Sequence, residues 1–113
     1  MDEQIKGSGC VISGIGSLSV VQLRFAGAAE AIAIRADLEI LSLAGTLSPD
    51  GAHLHIATAD NTGAVIGGHL CAGSRVRTTA ELVVALLPEW QFHRVLDLAT
   101  GFAELQIRPQ DPG

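Results

Sequence analysis

The sequence is poor in positive charge, and this shortage argues against one class of function. Seven Lys and Arg residues stand against twelve Asp and Glu residues, so the formal net charge is −5. DNA binding normally depends on clustered cations that neutralise phosphates, but here the basic residues are dispersed. They are Lys6, Arg24, Arg35, Arg75, Arg77, Arg94 and Arg108. Composition therefore argues against autonomous binding of nucleic acid.

Long apolar runs and export signals are also absent. No segment approaches the roughly 20 uncharged apolar residues that span a bilayer. The N-terminal MDEQIKGSG contains acids but no apolar core of a signal peptide. The two cysteines, Cys10 and Cys71, are too few for a disulfide framework, and we interpret them as small buried hydrophobes. We therefore expect a cytoplasmic protein that does not contact membranes.

Tyrosine is missing altogether, and aromatic residues make up only 4% of the chain. The hydrophobic content of 48% comes mainly from Ala, Leu, Val and Ile, and it suffices for the core of one domain of 113 residues. So much small apolar surface in a short chain leads us to expect self-association. The sequence has no Ser-His-Asp order, and Gly14-Ile15-Gly16 is too little for a dinucleotide-binding motif.

Short apolar segments separated by turn residues favour a mainly antiparallel sheet. Residues 10–25 are rich in β-branched side chains and predict a strand, with Gly14 and Gly16 at a bulge or bend. Residues 26–38, AGAAEAIAIRADL, have strong local helix propensity. The segment TTAELVVALL at 78–87 fits either a helix or a buried strand by its pattern. A last segment is interrupted near Thr100 and Gly101.

Residues 53–70, HLHIATADNTGAVIGGHL, contain three of the four histidines. The Asp-Asn-Thr-Gly run predicts a three-residue hairpin loop with Gly63 in the left-handed conformation. In that register His55 lies opposite His69, and His53 lies opposite Cys71. Because side chains alternate along a strand, the three imidazoles share one face, and a two-residue loop would send His69 to the other. That other face is apolar and consists of Leu54, Ile56, Ile66 and Leu70.

Three convergent imidazoles match a tridentate site for Zn²⁺ or another divalent transition metal. Such a site leaves a coordination position open for water, a substrate or a side chain of a partner. Gly67 and Gly68 remove side-chain bulk beside His69 and let another backbone or subunit approach. Cys71 is a candidate fourth ligand. Alternatively, the three histidines are ordinary strand residues on a solvated or interfacial face. The remaining histidine, His93, is interpreted as structural or at the surface.

Three segments together resemble the plant- and prokaryote-conserved (PPC) domain family: EILSLAGTLSPDGAHLHIATADNTGAVIGGHL, TTAELVV and FHRVLDLATGFAEL. Bacterial members are often called predicted DNA-binding proteins. The resemblance covers residues 10–107 and implies an α+β fold, with a strongly bent, mainly antiparallel sheet, little helix and assembly as a homotrimer. It makes TTAELVVALL a strand. It also implies a metal, usually assigned as zinc, held by the matching residues His53, His55 and His69.

The chain departs from the family pattern at its start. Beside that pattern we interpret the chain as lacking the first strand and most of the helix that usually follows it, and residues 26–37 are short beside the usual loop. We therefore divide the chain into an N-terminal remnant (1–9), a PPC-like domain (10–107) and a flexible tail (108–113). The basic hook motif through which plant members contact DNA is missing, so the resemblance supports DNA as a partner only weakly.

Two functions are consistent with these features. The first is a non-enzymatic trimeric module with a metal or ligand near a subunit interface and a DNA-associated or regulatory role. The second is a small metal-dependent hydrolase or lyase, since a three-histidine metal can lower the pKa of bound water to about 7. Such an enzyme needs a general acid or base, for which Glu81 and Asp97 are the candidates. Their simpler interpretation is structural. Whether the site lies within or between subunits stays open.

Overall fold

The computed structural model describes residues 7–110, which form seven β-strands and no helix. The strands are β1 (Gly9–Arg24), β2 (Ile32–Ser48), β3 (Gly51–Ala59), β4 (Val65–Leu70), β5 (Arg75–Leu86), β6 (Trp90–Leu96) and β7 (Ala103–Pro109). The mainly antiparallel sheet is confirmed, whereas the α+β class is wrong for the described residues, which are all-β. No helix in this part of the chain is long and apolar enough to cross a membrane.

The alanine-rich segment forms a loop and the first half of β2 in spite of its helix propensity. Its residues alternate between two faces: Ile34 and Ala36 pack against the core, and Leu38 is buried, while Arg35 and Asp37 are exposed. Pairing with β1 supplies the backbone hydrogen bonds. The burial of one face of the strand therefore outweighs the local preference of the alanines.

The sheet closes on itself, because β2 pairs with β1 in addition to the order β2-β3-β4-β1-β5. Strands β1 and β2 pair from Gly9↔Leu47 to Leu23↔Ile32. The other edge of β1 pairs with β5 up to Val20 and then with β4 at Leu23 and Arg24. Register shifts flank the Gly14–Gly16 stretch in the β1–β5 pairing, which confirms the predicted irregularity. A separate hairpin consists of β6 and β7.

The core fills the interior of this ring with aliphatic side chains. Val21 and Leu23 have no exposed surface. The other members of the buried cluster are Val11, Leu18, Leu38, Ile40, Leu43, Leu47, Leu54 and Ile56. Phe92 of β6 is also buried, and its N–H donates to the buried Ser8 Oγ at 2.7 Å. The β6–β7 hairpin is thus anchored to the start of the chain.

All of the segment TTAELVVALL except its last residue lies in β5, which confirms the strand interpretation. Among the described strands β5 pairs with β1 alone, so its second edge is unpaired there. Residues 1–6 and 111–113 lie outside the described part of the chain, and the domain limits 1–9, 10–107 and 108–113 stay predictions. Strand β7 extends to Pro109, two positions into the segment predicted as a flexible tail. Cys10 and Cys71 are free and partly exposed, so the prediction of buried thiols is wrong.

A Leu23→Ala variant tests the core. Leu23 is 0% exposed, and removal of a fully enclosed leucine lowers the free energy of unfolding by about 2–5 kcal/mol. The matched control is Leu98→Ala, since Leu98 is 91% exposed and such changes stay within about 0.5 kcal/mol. Urea unfolding at one protein concentration measures both. Equal losses in the two variants would contradict the assignment of the core.

Candidate metal centre

The loop between β3 and β4 is closed by one carboxylate. Asp60 Oδ1 accepts hydrogen bonds from the Thr62 N–H (2.8 Å), the Thr62 hydroxyl (2.6 Å) and the Ala64 N–H (3.0 Å). The Gly63 N–H donates to the Asp60 carbonyl at 3.0 Å, and Gly63 has a φ of 85°. The predicted three-residue loop with a left-handed glycine is confirmed.

This loop produces the predicted register. His55 pairs with His69, and Leu54 and Ile56 on the opposite face are only 5% and 4% exposed. Ile66 and Leu70 also pack against the core. The separation of an imidazole face from an apolar face is therefore confirmed. The same side-chain alternation that buries Leu54 and Ile56 places the three histidines on the opposite face.

The predicted pairing of His53 with Cys71 is wrong. The β3–β4 pairing ends at His55 and His69, and the Cys71 N–H donates instead to the Gln22 carbonyl of β1 at 2.9 Å. The Cys71 thiol lies 3.6 Å from the His69 carbonyl, and the group of potential metal ligands found among the described residues does not include it. The chain leaves β3 at this point because β4 has to reach β1.

His53, His55 and His69 converge into one cluster, the three-histidine cluster. One ring nitrogen from each residue lies within 4.8 Å of the others, and His53 Nε2 lies 3.3 Å from His55 Nε2. The ring centroids are 5.1–5.6 Å apart. In a tetrahedral zinc site with Zn–N bonds of about 2.0–2.1 Å, two nitrogens are about 3.3 Å apart. The Nε2 atoms of His53 and His55 already have this spacing.

The surroundings of His53 and His69 favour the neutral form of these two imidazoles. Burial lowers the pKa of His53, and the charges of Arg94, His69, His55 and Arg24 lower it further. Burial also lowers the pKa of His69, followed by the effects of Arg24 and His55. Metal ligation requires the deprotonated imidazole, so both shifts favour metal over protons. His69 Nδ1 is buried and has no hydrogen-bond partner among residues 7–110, and this unmet bonding capacity fits a residue whose partner is a bound ion or ligand.

Two glycines bring the strands close at the cluster. A Cβ atom on Gly67 would lie 2.4 Å from the Ile56 carbonyl oxygen, and one on Gly68 would lie 2.9 Å from the Arg24 carbonyl oxygen. The prediction that these glycines admit another backbone is confirmed, and the backbones are β3 and β1 of the same chain. This close approach places Arg24 directly opposite His69.

Three adjoining cavities open onto the cluster. The largest, the histidine cavity, has a volume of about 460 Å³ and is lined by all three histidines, Arg24 and Phe102, among others. A second, the arginine cavity, has a volume of about 400 Å³, and its lining includes Arg24, Arg94 and Glu104. A third of about 370 Å³ lies between His53, His55, Thr46 and Arg94. The space beside the imidazoles can therefore accept a small ligand.

The candidate general acids and bases lie elsewhere. Glu81 is exposed on β5, opposite Ile15. The Asp97 carboxylate accepts the Ala99 N–H at 2.8 Å in the β6–β7 turn. Neither lines the three cavities. His93 Nδ1 lies 3.4 Å from Asp50 Oδ2 and is likewise outside the cluster.

Sequence reasoning missed Arg24, Arg94, Glu104 and Phe102 as neighbours of the histidines. They come from β1, β6, β7 and the β6–β7 turn, which the hydrophobic pattern does not place next to β3 and β4. The nearest available signal was the position of Arg24 at the end of an alternating strand, directly before Phe25.

Comparison with known proteins identifies the family. The family model of the Plants and Prokaryotes Conserved (PCC) domain matches residues 1–88. This is the PPC domain family that the sequence motifs resemble. The chain belongs to this family. Over 102 residues the chain is 48% identical to the bifunctional protein GlmU of Synechococcus sp. (strain JA-2-3B'a(2-13)), a match that covers 90% of this chain and 16% of GlmU. The chain thus spans about a sixth of the curated relatives it matches.

Solved structures share the fold. A hypothetical protein of Salmonella cholerae-suis is 37% identical with a TM-score of 0.91, over 96% of this chain and 78% of that one. A candidate DNA-binding protein of Bacteroides thetaiotaomicron is 25% identical with a TM-score of 0.74, over 93% and 76%. A metal-containing protein of Archaeoglobus fulgidus is 27% identical with a TM-score of 0.66, over 93% and 77%. The described fold is that of the family.

The Asp60→Asn variant tests how the loop is held. The Thr62 hydroxyl and N–H lower the pKa of Asp60 below its ordinary value of 3.8. A carboxyl whose pKa is lowered by folding adds stability above its unfolded pKa and loses it as the pH falls through the folded pKa. We therefore expect Asp60→Asn to be less stable than the wild type at neutral pH, with a difference that shrinks below pH 3.8.

Urea unfolding at a series of pH values measures this difference. Asp37→Asn is the control, because it removes one carboxylate whose only described ion pair is a 3.9 Å contact with Arg77 at the surface. Equal loss of stability in Asp60→Asn and Asp37→Asn would show that the loop hydrogen bonds contribute nothing specific.

Proposed function

We propose that this protein is a metal-binding PPC-domain module in which His53, His55 and His69 hold Zn²⁺ or another divalent transition metal. The observation that carries the proposal is the convergence of three ring nitrogens within 4.8 Å on a face opposite the core. Imidazole nitrogens suit zinc and its neighbours in the transition series. A solved neighbour, the A. fulgidus protein, is described as containing metal, which supports the same interpretation.

The residues of the chain divide the work at such a site. His53 and His55 reach it from β3, and His69 reaches it from β4. The backbone pairing of His55 with His69 fixes the two strands relative to each other. A metal bound there would supply one position for an exchangeable ligand, because three protein ligands leave a tetrahedral site incomplete. The histidine cavity provides the space for that ligand.

Elemental analysis of protein purified without an affinity tag tests the metal site. We expect roughly one metal ion per chain in the wild type and a clearly lower metal content in His55→Ala and His69→Ala, since each removes one of three ligands and weakens metal affinity by about tenfold or more. His93→Ala is the matched control and should retain the metal, because His93 lies outside the cluster. Negligible metal in all four proteins after incubation with zinc would overturn the proposal.

We further propose that the module acts as a homotrimer in the cytoplasm with a regulatory or DNA-associated role and without enzymatic activity. The family membership and the many exposed apolar side chains, such as Ile12, Leu41 and Val83, support self-association. The B. thetaiotaomicron neighbour supports an association with DNA. The net charge of −5 favours an association that runs through other proteins over direct contact with duplex DNA.

Sedimentation equilibrium and a DNA titration test this role. With 11.7 kDa per chain, three chains give about 35 kDa, and a monomer at micromolar concentration would contradict the trimer.

Fluorescence anisotropy with a labelled duplex should show no binding even at low salt, because polyelectrolyte binding needs several clustered cations. Affinity that rises steeply as salt is lowered would instead show that assembly brings the dispersed arginines together.

A metal-dependent hydrolase or lyase is the second candidate. The cavity of about 460 Å³ beside the histidines favours it, because a substrate would have room next to the open coordination position. Within the described residues that line the three cavities, Glu104 is the acidic one, so it is better placed than Glu81 or Asp97 to exchange a proton. Turnover that is lost in Glu104→Gln while the metal is retained would favour the enzyme over the binding module.

A further inference from the structure

The surroundings of the three-histidine cluster are cationic although the chain as a whole is acidic. Arg24 and Arg94 are two of the seven basic residues, and both line the arginine cavity together with His53 and His69. Imidazole ligands carry no negative charge, so a divalent cation held by the cluster would keep its full charge.

The two guanidinium groups differ in how they are held. Arg94 Nη2 donates to Thr46 Oγ1 at 3.0 Å, and Arg94 Nη1 lies 3.5 Å from the Ala103 carbonyl. Arg94 is therefore oriented by the protein and keeps further N–H donors free. The Arg24 side chain has neither an ion pair nor a hydrogen bond within residues 7–110. Its position is set by the backbone pairing of Arg24 with His69.

We propose that Arg24 and Arg94 form, on the three-histidine face, a binding site for a small ligand that carries an oxyanion group, a carboxylate or a phosphate. Guanidinium groups bind both oxyanions through charge-assisted hydrogen bonds. The part of this proposal in which the oxyanion also occupies the open metal position rests on the proposed metal site. The arginine pair stands on its own geometry and does not require the metal.

The walls of the arginine cavity indicate the size and character of the ligand. Its volume of about 400 Å³ is at the lower end of the range for small-molecule sites. Ala52, Phe102 and Ala103 supply apolar surface beside the arginines. A ligand with one anionic end and a small apolar body, such as a short organic acid or a phosphate monoester, matches this combination.

One acidic group opposes the site. Glu104 lines the arginine cavity, and its Oε1 accepts a hydrogen bond from the Thr100 hydroxyl at 3.2 Å. This bond holds the carboxylate toward the β6–β7 turn. With two guanidinium groups against one carboxylate the arginine cavity stays net positive, and removal of the Glu104 charge should strengthen anion binding.

Isothermal titration calorimetry with inorganic phosphate and with acetate tests the proposal on zinc-loaded and on chelator-treated protein. We expect the wild type to bind at least one of the two anions, and Arg24→Gln to weaken that binding about tenfold or more, since a charged hydrogen-bond donor is lost. Arg94→Lys keeps the positive charge and the fold, but it removes the planar guanidinium group that can donate two parallel hydrogen bonds. We therefore expect a smaller loss of affinity than in Arg24→Gln. Glu104→Gln should bind more tightly. Arg108→Gln, on β7 and outside these cavities, is the control and should be unchanged.

The outcomes separate this proposal from the metal site. Arg24-dependent binding by the chelator-treated protein supports the arginine pair whether or not zinc binds. Binding by the zinc-loaded protein alone supports an oxyanion that bridges the metal and the arginines. Absence of binding in both forms, or an affinity that is equal in the wild type and Arg24→Gln, overturns the proposal while leaving the metal analysis intact. The anion that binds more tightly identifies the ligand as a carboxylate or a phosphate.

Discussion

The register of the β3–β4 hairpin is the constraint on which the candidate site depends, and two separate interactions select it. The Asp60 carboxylate accepts hydrogen bonds from the Thr62 and Ala64 N–H groups, and these bonds stabilise a loop of three residues between the strands. Independently, the core accepts Leu54 and Ile56. A slip of one residue would put His69 on the apolar side, where an imidazole would be buried without a partner. The turn and the core therefore favour the same arrangement, and this arrangement brings the three histidines together.

Closure of the sheet turns this hairpin face into a cleft. Strand β4 is only six residues long, yet it touches β3 and then β1. The small size of Gly67 and Gly68 permits both contacts, since a Cβ atom at either position would meet a carbonyl oxygen. Because β1 arrives at this point, Arg24 lies beside His69. The same glycines thus allow the strands to meet and allow the positively charged Arg24 to lie next to the histidines.

The sequence allowed prediction of those features that depend on residues close together in the chain. The three-residue loop, the two faces of the hairpin and the cluster of His53, His55 and His69 all follow from eighteen consecutive residues. The alternation of Ile34, Ala36 and Leu38 was equally visible, but the helix propensity of the surrounding alanines obscured it. In a closed sheet the demand for a strand partner decides such a segment.

What could not be predicted depends on which distant strands meet. Hydrophobic alternation shows which face of β1 is buried, but it does not show that the end of β1 pairs with β4. The pairing of Arg24 with His69 was hidden for this reason, and so was the position of Arg94 on the same cavity. The error at Cys71 has the same origin, because its backbone turns to Gln22 of β1 where extension of the hairpin register would have placed it opposite His53.

The charge distribution connects the site to the function of the module. A net charge of −5 describes the whole surface, whereas the potential in a cleft is set by the nearest groups and is strengthened by apolar walls. A duplex offers many phosphates and rewards many dispersed contacts, while a single small oxyanion needs only two or three donors in one place. Arg24 and Arg94, which line one cavity with His53 and His69, meet the second requirement. The features that argue against direct binding of DNA are thus those expected of a module that responds to a small anionic ligand.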